Sequence, residues 1–166
     1  MSTKLITIVL ASSIISILFF WLQQPSYPTL SEQLLLQRID GKQQQLGDIR
    51  GKPALVAFWS PSCAPCMQEV AELNHLYTQL EGGRKFELLA LSMTYDRPDH
   101  VIFTSKRASM LYPVYLDLSN ELSRAFGDIV ATPALFLLNA EGEITYQHSG
   151  KSDFTLITQK LKKLIG

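Results

Sequence analysis

The sequence predicts an α/β fold with a mixed central sheet flanked by helices, and three observations carry that reading. Short, predominantly apolar runs at residues 54–59, 86–93 and 134–138 look like strands buried on both faces. They alternate with stretches whose apolar residues recur every three to four positions, as on one side of a helix. Near the end, Glu141-Gly142-Glu143 marks a turn between two strands close in sequence, so the last pair runs antiparallel. The chain has 166 residues, enough for one domain with a good core. Its 15 basic and 15 acidic residues cancel, which gives nucleic acid no electrostatic handle.

The first element is set apart from the rest. Residues 5–22 carry no charge and include only Thr7, Ser12, Ser13 and Ser16 as polar members. As a helix they would span ~27 Å, close to the hydrocarbon thickness of a bilayer. The sequence favours an uncleaved N-terminal membrane anchor over residues 1–24. The alternative is a cleaved signal peptide, whose apolar core usually runs to about 7–15 residues before a small-x-small site. No such site occurs between Gln23 and Tyr27. Lys4 precedes the apolar run and no lysine or arginine follows until Arg38, which favours a cytoplasmic N-terminus. Residues 25–33, with Pro25 and Pro28, read as a linker. Residues 34–166 read as the folded domain.

Within that domain the elements follow in order. Residues 34–39, the Asp40-Gly41 turn and a strand ending near Leu46 form a hairpin. Residues 47–50 connect it to the central strand at 54–59. A helix follows, with Val70, Leu73, Leu76 or Tyr77, and Leu80 on its apolar side, and Gly82-Gly83 is expected to cap it. Residues 86–93 form a second buried parallel strand, and Asp96-Arg97-Pro98 starts a helix over 99–109. A short strand at 113–116 precedes a helix over 119–126 closed by Gly127. Strands at 134–138 and 144–148 and a helix over 152–165 finish the chain.

Chemistry concentrates in FWSPSCAPCMQE, residues 58–69, which holds the chain's two cysteines, Cys63 and Cys66. There a strand hands over to a helix. The free N–H groups and the positive dipole end favour an anion, and a thiolate is the reactive form of cysteine. Positions three apart share a helix face, within the roughly 7 Å that a disulfide allows between alpha carbons. Pro65 suits the first turn, where its missing N–H costs little, and Ser62 or Cys63 can serve as N-cap. A zinc half-site would need more ligands. A purely structural disulfide would close too short a loop to remove much chain entropy. A redox dithiol is the reading that remains. Ser60 lies three before Cys63, as a peroxiredoxin requires, but Val56 stands where that motif has proline. The histidines His75, His100 and His148 are scattered, and His75 falls off the apolar stripe.

FWSPSCAPC resembles the active-site segment of thioredoxin-like proteins. The wider pattern is similar to the TlpA/ResA-like branch of extracytoplasmic thiol–disulfide oxidoreductases, related to the AhpC/TSA proteins. The matching pieces are Asp40-Gly41-Lys42, Gly51-Lys52-Pro53, the cysteine motif, Glu69, Ala131-Thr132-Pro133 and Glu141-Gly142-Glu143. The resemblance implies a thioredoxin-like fold with an N-terminal hairpin and a helical insertion at 99–109. It implies Cys63 as nucleophile and Cys66 as resolving thiol, the two forming the redox-active disulfide. It implies Glu69 as proton carrier for Cys66, against the alternative of a solvated acid near a helix start. It implies a cis Pro133, with the Thr132 backbone pairing with a substrate chain. Trp59 is read as core or as a wall of the substrate site. Two departures stand out. Ser62 occupies the place of the usual tryptophan, and Ala57 replaces the buried acid of thioredoxins proper.

The function expected from this resemblance is reduction of disulfides in exported proteins, with apocytochrome c as one client class. The domain would face the periplasm from a single-pass anchor in a bacterial inner membrane. Electrons would come from a transmembrane donor of the DsbD type, and no metal or organic cofactor is implied. A disulfide oxidase or isomerase, and a non-catalytic adaptor or chaperone, are the alternatives.

Overall fold

Six consecutive apolar residues make the central strand, and its place in the sheet explains why none of them is polar. A computed structural model describes residue 19 and residues 27–166. The anchor expected over residues 1–24, Phe19 apart, lies outside the described residues. Among those described, no helix is long and apolar enough to cross a membrane. The elements are β1 (Leu35–Arg38), β2 (Gln43–Gln45), a 3-10 turn (Leu46–Ile49), β3 (Ala54–Trp59), α1 (Ala64–Gln79), β4 (Glu87–Ser92) and α2 (Pro98–Arg107). They continue with β5 (Val114–Leu116), α3 (Glu121–Ala125), β6 (Ala134–Leu138), β7 (Ile144–Ser149) and α4 (Phe154–Ile165).

The seven strands lie in the order β2-β1-β5-β4-β3-β6-β7. β3, β4 and β5 run parallel, while the hairpin at each end joins antiparallel. β3 has neighbours on both edges and helices on both faces, so all six of its residues are buried. Alternate side chains serve alternate faces. Leu55, Ala57 and Trp59 join Leu73 and Leu76 of α1 and Ile157 and Leu161 of α4. Ala54, Val56 and Phe58 join Leu122 of α3, Phe126 and Phe136.

The end of α1 differs from expectation. Leu80 is the C-cap, and Glu81, not a glycine, takes the left-handed conformation at φ 57°. The Gly82 N–H then reaches back to the Tyr77 carbonyl at 2.8 Å, closing a Schellman motif. Gly82 is required for a different reason: a Cβ there would overlap the Tyr77 ring. The last helix begins at Phe154 because Asp153 caps it, accepting from Thr155 and Leu156 N–H at 2.9 and 3.1 Å.

Register then decides where the loops meet. Trp59 pairs with Ser92, and Phe58 pairs with Ala134. The segments leaving β3 and β4 and the one entering β6 therefore converge on the same edge of the sheet, where Cys63 lies.

Candidate active site

Cys63 is the N-cap of α1, in extended conformation, and its Sγ accepts the Cys66 backbone N–H at 3.2 Å. Of the two cap candidates the structure thus selects Cys63 over Ser62. Pro65 sits in the first turn, as its lack of an N–H allows. Cys63 and Cys66 form a disulfide with alpha carbons 5.3 Å apart. Cys63 is half-buried, whereas Cys66 is only 4% exposed and packs in the layer with Trp59, Leu73 and Leu135. An incoming sulfur can therefore reach only one member of the pair. That member has an N–H aimed at it and a helix start behind it, which together favour the thiolate.

Glu69 lies one turn beyond Cys66 on the buried side of α1 and is 6% exposed. The alternative of a solvated surface acid is thereby overturned. Its Oε1 accepts the Ser152 backbone N–H at 2.7 Å, the kind of bond a buried carboxylate needs. Tyr112 is nearby: burial, with the Glu69 carboxylate adding to it, holds its hydroxyl well above the usual phenol range. Trp59 is 4% exposed, and its indole Nε1 has no hydrogen-bond partner among the described residues. The Ser152 hydroxyl is in the same position.

The Thr132–Pro133 bond is cis. Pro133 is buried and its carbonyl accepts the Gly150 N–H at 2.8 Å. The β6 ladder starts one residue later, so no main-chain bond ties Thr132 among the described residues. Continuing the register past Phe58 and Ala134 brings Pro133 beside Trp59. Among the described residues no group of three or more His, Cys, Asp or Glu side chains is placed to hold a metal ion.

A family model described as "AhpC/TSA family" matches residues 28–147. The chain belongs to the AhpC/TSA family. Among its curated relatives is a protein named thiol-disulfide oxidoreductase ResA from Bacillus thuringiensis subsp. konkukian. That protein is 27% identical over 127 residues, covering 76% of this chain and 71% of the relative. Among solved structures, StoA from Bacillus subtilis superposes with a TM-score of 0.66 at 23% identity, covering 81% of this chain and 98% of that one. A thiol:disulfide interchange protein of the thioredoxin family from Chlorobium tepidum gives a TM-score of 0.72 at 23% identity. It covers 86% of this chain and 99% of that one. These two likenesses show the thioredoxin-like fold. With its family, its relatives and its Cys63–Cys66 pair taken together, this AhpC/TSA member is a thiol–disulfide oxidoreductase.

Some groups at this AhpC/TSA site are not announced by the sequence. Ser152 and Tyr112 reach Glu69 only through the packing of distant elements, and no motif marks them. Ser60 was visible as the residue three before Cys63, but its partner Asp96 was not. His75 is exposed, as its place off the apolar stripe predicts.

Proposed function

We propose that this oxidoreductase reduces disulfides in exported proteins from the outer side of a bacterial cytoplasmic membrane, held there by residues 1–24. The observation that carries the chemical part is the asymmetry of the pair, one sulfur reachable and capped by an N–H, the other buried directly behind it. The Cys63 thiolate attacks one sulfur of a client disulfide, and the other client sulfur leaves as a thiolate. Cys66, deprotonated, then attacks Cys63 Sγ; the Cys63–Cys66 disulfide forms and the second client sulfur is released. Two electrons and two protons pass from the dithiol to the client. Glu69 takes the proton of Cys66 as that thiol attacks, since both lie on the buried face of α1. The main chain of Thr132, which bonds to nothing among the described residues, pairs with an extended client segment, with Pro133 and Trp59 as the wall beside it.

The uncharged run at residues 5–22 supports the anchor, and the resemblance to the TlpA/ResA-like branch supports apocytochrome c as a client and a DsbD-type donor. Substrate trapping tests the reading. With Cys66→Ser in the native membrane, Cys63 should accumulate mixed disulfides with a few exported proteins, and Cys63→Ser should trap none. An empty trap would sink the reductase assignment. A glutathione titration gives the direction: a potential near the thioredoxin value of about −270 mV fits a reductant, and one near about −120 mV fits an oxidase.

A further inference from the structure

Ser62 stands where the resembling proteins have tryptophan, and the structure gives its hydroxyl a place. The Ser62 Oγ lies 2.9 Å from the Ser60 Oγ. Ser60 is 1% exposed, and its hydroxyl donates to Oδ1 of Asp96 at 2.7 Å. Asp96 comes from the segment between β4 and α2, 36 residues away in the chain. Its other oxygen accepts the Met93 N–H at 3.2 Å, while the neighbouring Arg97 turns to Asp99 at 2.8 Å. Ser60 also receives the Ser62 N–H on its hydroxyl at 3.3 Å and the Cys63 N–H on its carbonyl at 3.0 Å. The turn that delivers Cys63 is therefore tied to a buried hydroxyl, and a carboxylate holds that hydroxyl's proton.

Counting protons gives this chain a direction. A carboxylate can only accept, and each hydroxyl has one proton to give. Ser60 gives its proton to Asp96, so the contact between the two serines must be donated by Ser62. Both hydroxyl protons are thus engaged in the chain that ends on Asp96, and neither is donated to the Cys63 sulfur, whose one hydrogen bond among the described residues comes from the Cys66 N–H. A hydrogen bond donated to a thiolate stabilises the reduced form and makes a dithiol more oxidising. We propose that Asp96 is a positioning residue which, through Ser60, withholds the Ser62 hydroxyl proton from the Cys63 thiolate and so keeps the pair a stronger reductant. This rests on Cys63 being the attacking thiol.

Asp96→Asn is the direct test, because an amide can donate to Ser60 and so release the chain to run the other way. The full chain in detergent is reduced, alkylated with iodoacetamide across a pH series, and the labelled cysteine is identified by peptide mapping. The glutathione equilibrium is measured alongside. In Asp96→Asn the midpoint for Cys63 should fall by about one unit. The equilibrium should move about tenfold toward the reduced form, or about 30 mV. Ser62 is exposed, so Ser62→Ala keeps the fold, and alone it should leave both values unchanged. In the Asp96→Asn/Ser62→Ala double variant most of the shift should vanish. An equal shift in both backgrounds would mean that only the lost charge acted, and would overturn the proposal; so would no shift in Asp96→Asn. Should Asp96→Asn fail to fold, Ser60→Ala removes the acceptor of the Ser62 proton. It must lower the Cys63 midpoint in the same way, or the proposal fails. Labelling of Cys66 ahead of Cys63 would instead bring down the assignment of the attacking thiol, and this proposal with it.

Discussion

Two buried carboxylates on opposite faces of the sheet are held in different ways. Asp117 is 2% exposed and uses both oxygens: Oδ1 accepts the Leu122 N–H at 3.2 Å, and Oδ2 accepts the Ser123 N–H at 2.9 Å and the Ser123 hydroxyl at 2.7 Å. It thereby ties the start of α3 to the end of β5. Glu69 is 6% exposed, and among the described residues only its Oε1 accepts a bond, from Ser152 N–H. The residues around them follow the same division. On the α3 face, Phe58, Phe126 and Phe136 meet edge to face at centroid distances of 5.3, 5.9 and 5.0 Å. On the cysteine face, the next residue, Trp59, has a buried N–H with no partner among the described residues. A saturated network is a structural one, while an acid with an oxygen left over among the described residues is compatible with the proton-carrying role proposed for Glu69.

Four substitutions bear on this contrast, the largest effect first. Phe58→Ala empties the aromatic cluster and should cost about 3–5 kcal/mol in urea unfolding. The glutathione equilibrium of the folded fraction should stay at the parent value, and a shift there would mean that the two faces are not independent. Asp117→Ala strips an acceptor from three donors and should cost about 3 kcal/mol, roughly one for each. Glu69→Gln keeps the oxygen that Ser152 uses, so its melting temperature should stay near the parent's while insulin reduction slows about a hundredfold. If stability fell and turnover did not, Glu69 would belong with Asp117. Trp59→Phe removes an N–H that has no partner among the described residues together with some packed volume; the two offset, and unfolding should shift by less than about 1.5 kcal/mol.

How much was legible in the sequence follows from how local each cause is. β3 and β6 stand where their unbroken apolar runs placed them, because a strand covered on both faces admits no polar residue. The dithiol at a strand-to-helix junction was equally plain, since its context is contiguous in sequence. The spacing of Glu69 put it on the face of Cys66, but its depth depends on the segment before α4, 83 residues further on. Asp96 and Ser60 likewise meet only because register brings the ends of β3 and β4 together. At the end of α1 the glycine pair pointed to the right place for the wrong reason. Glu81 bears the left-handed turn, and Gly82 is there to clear the Tyr77 ring.

One atom, the sulfur of Cys63, opens a sixteen-residue helix and, in the mechanism proposed above, is also its reagent. Silencing the reagent need not loosen the helix, because oxygen occupies that opening position at least as well as sulfur does. A Cys63→Ser protein should therefore resist heat as well as the reduced parent while exchanging nothing. On the proposed mechanism, such a protein would separate the surface that clients dock on from the sulfur that they react with.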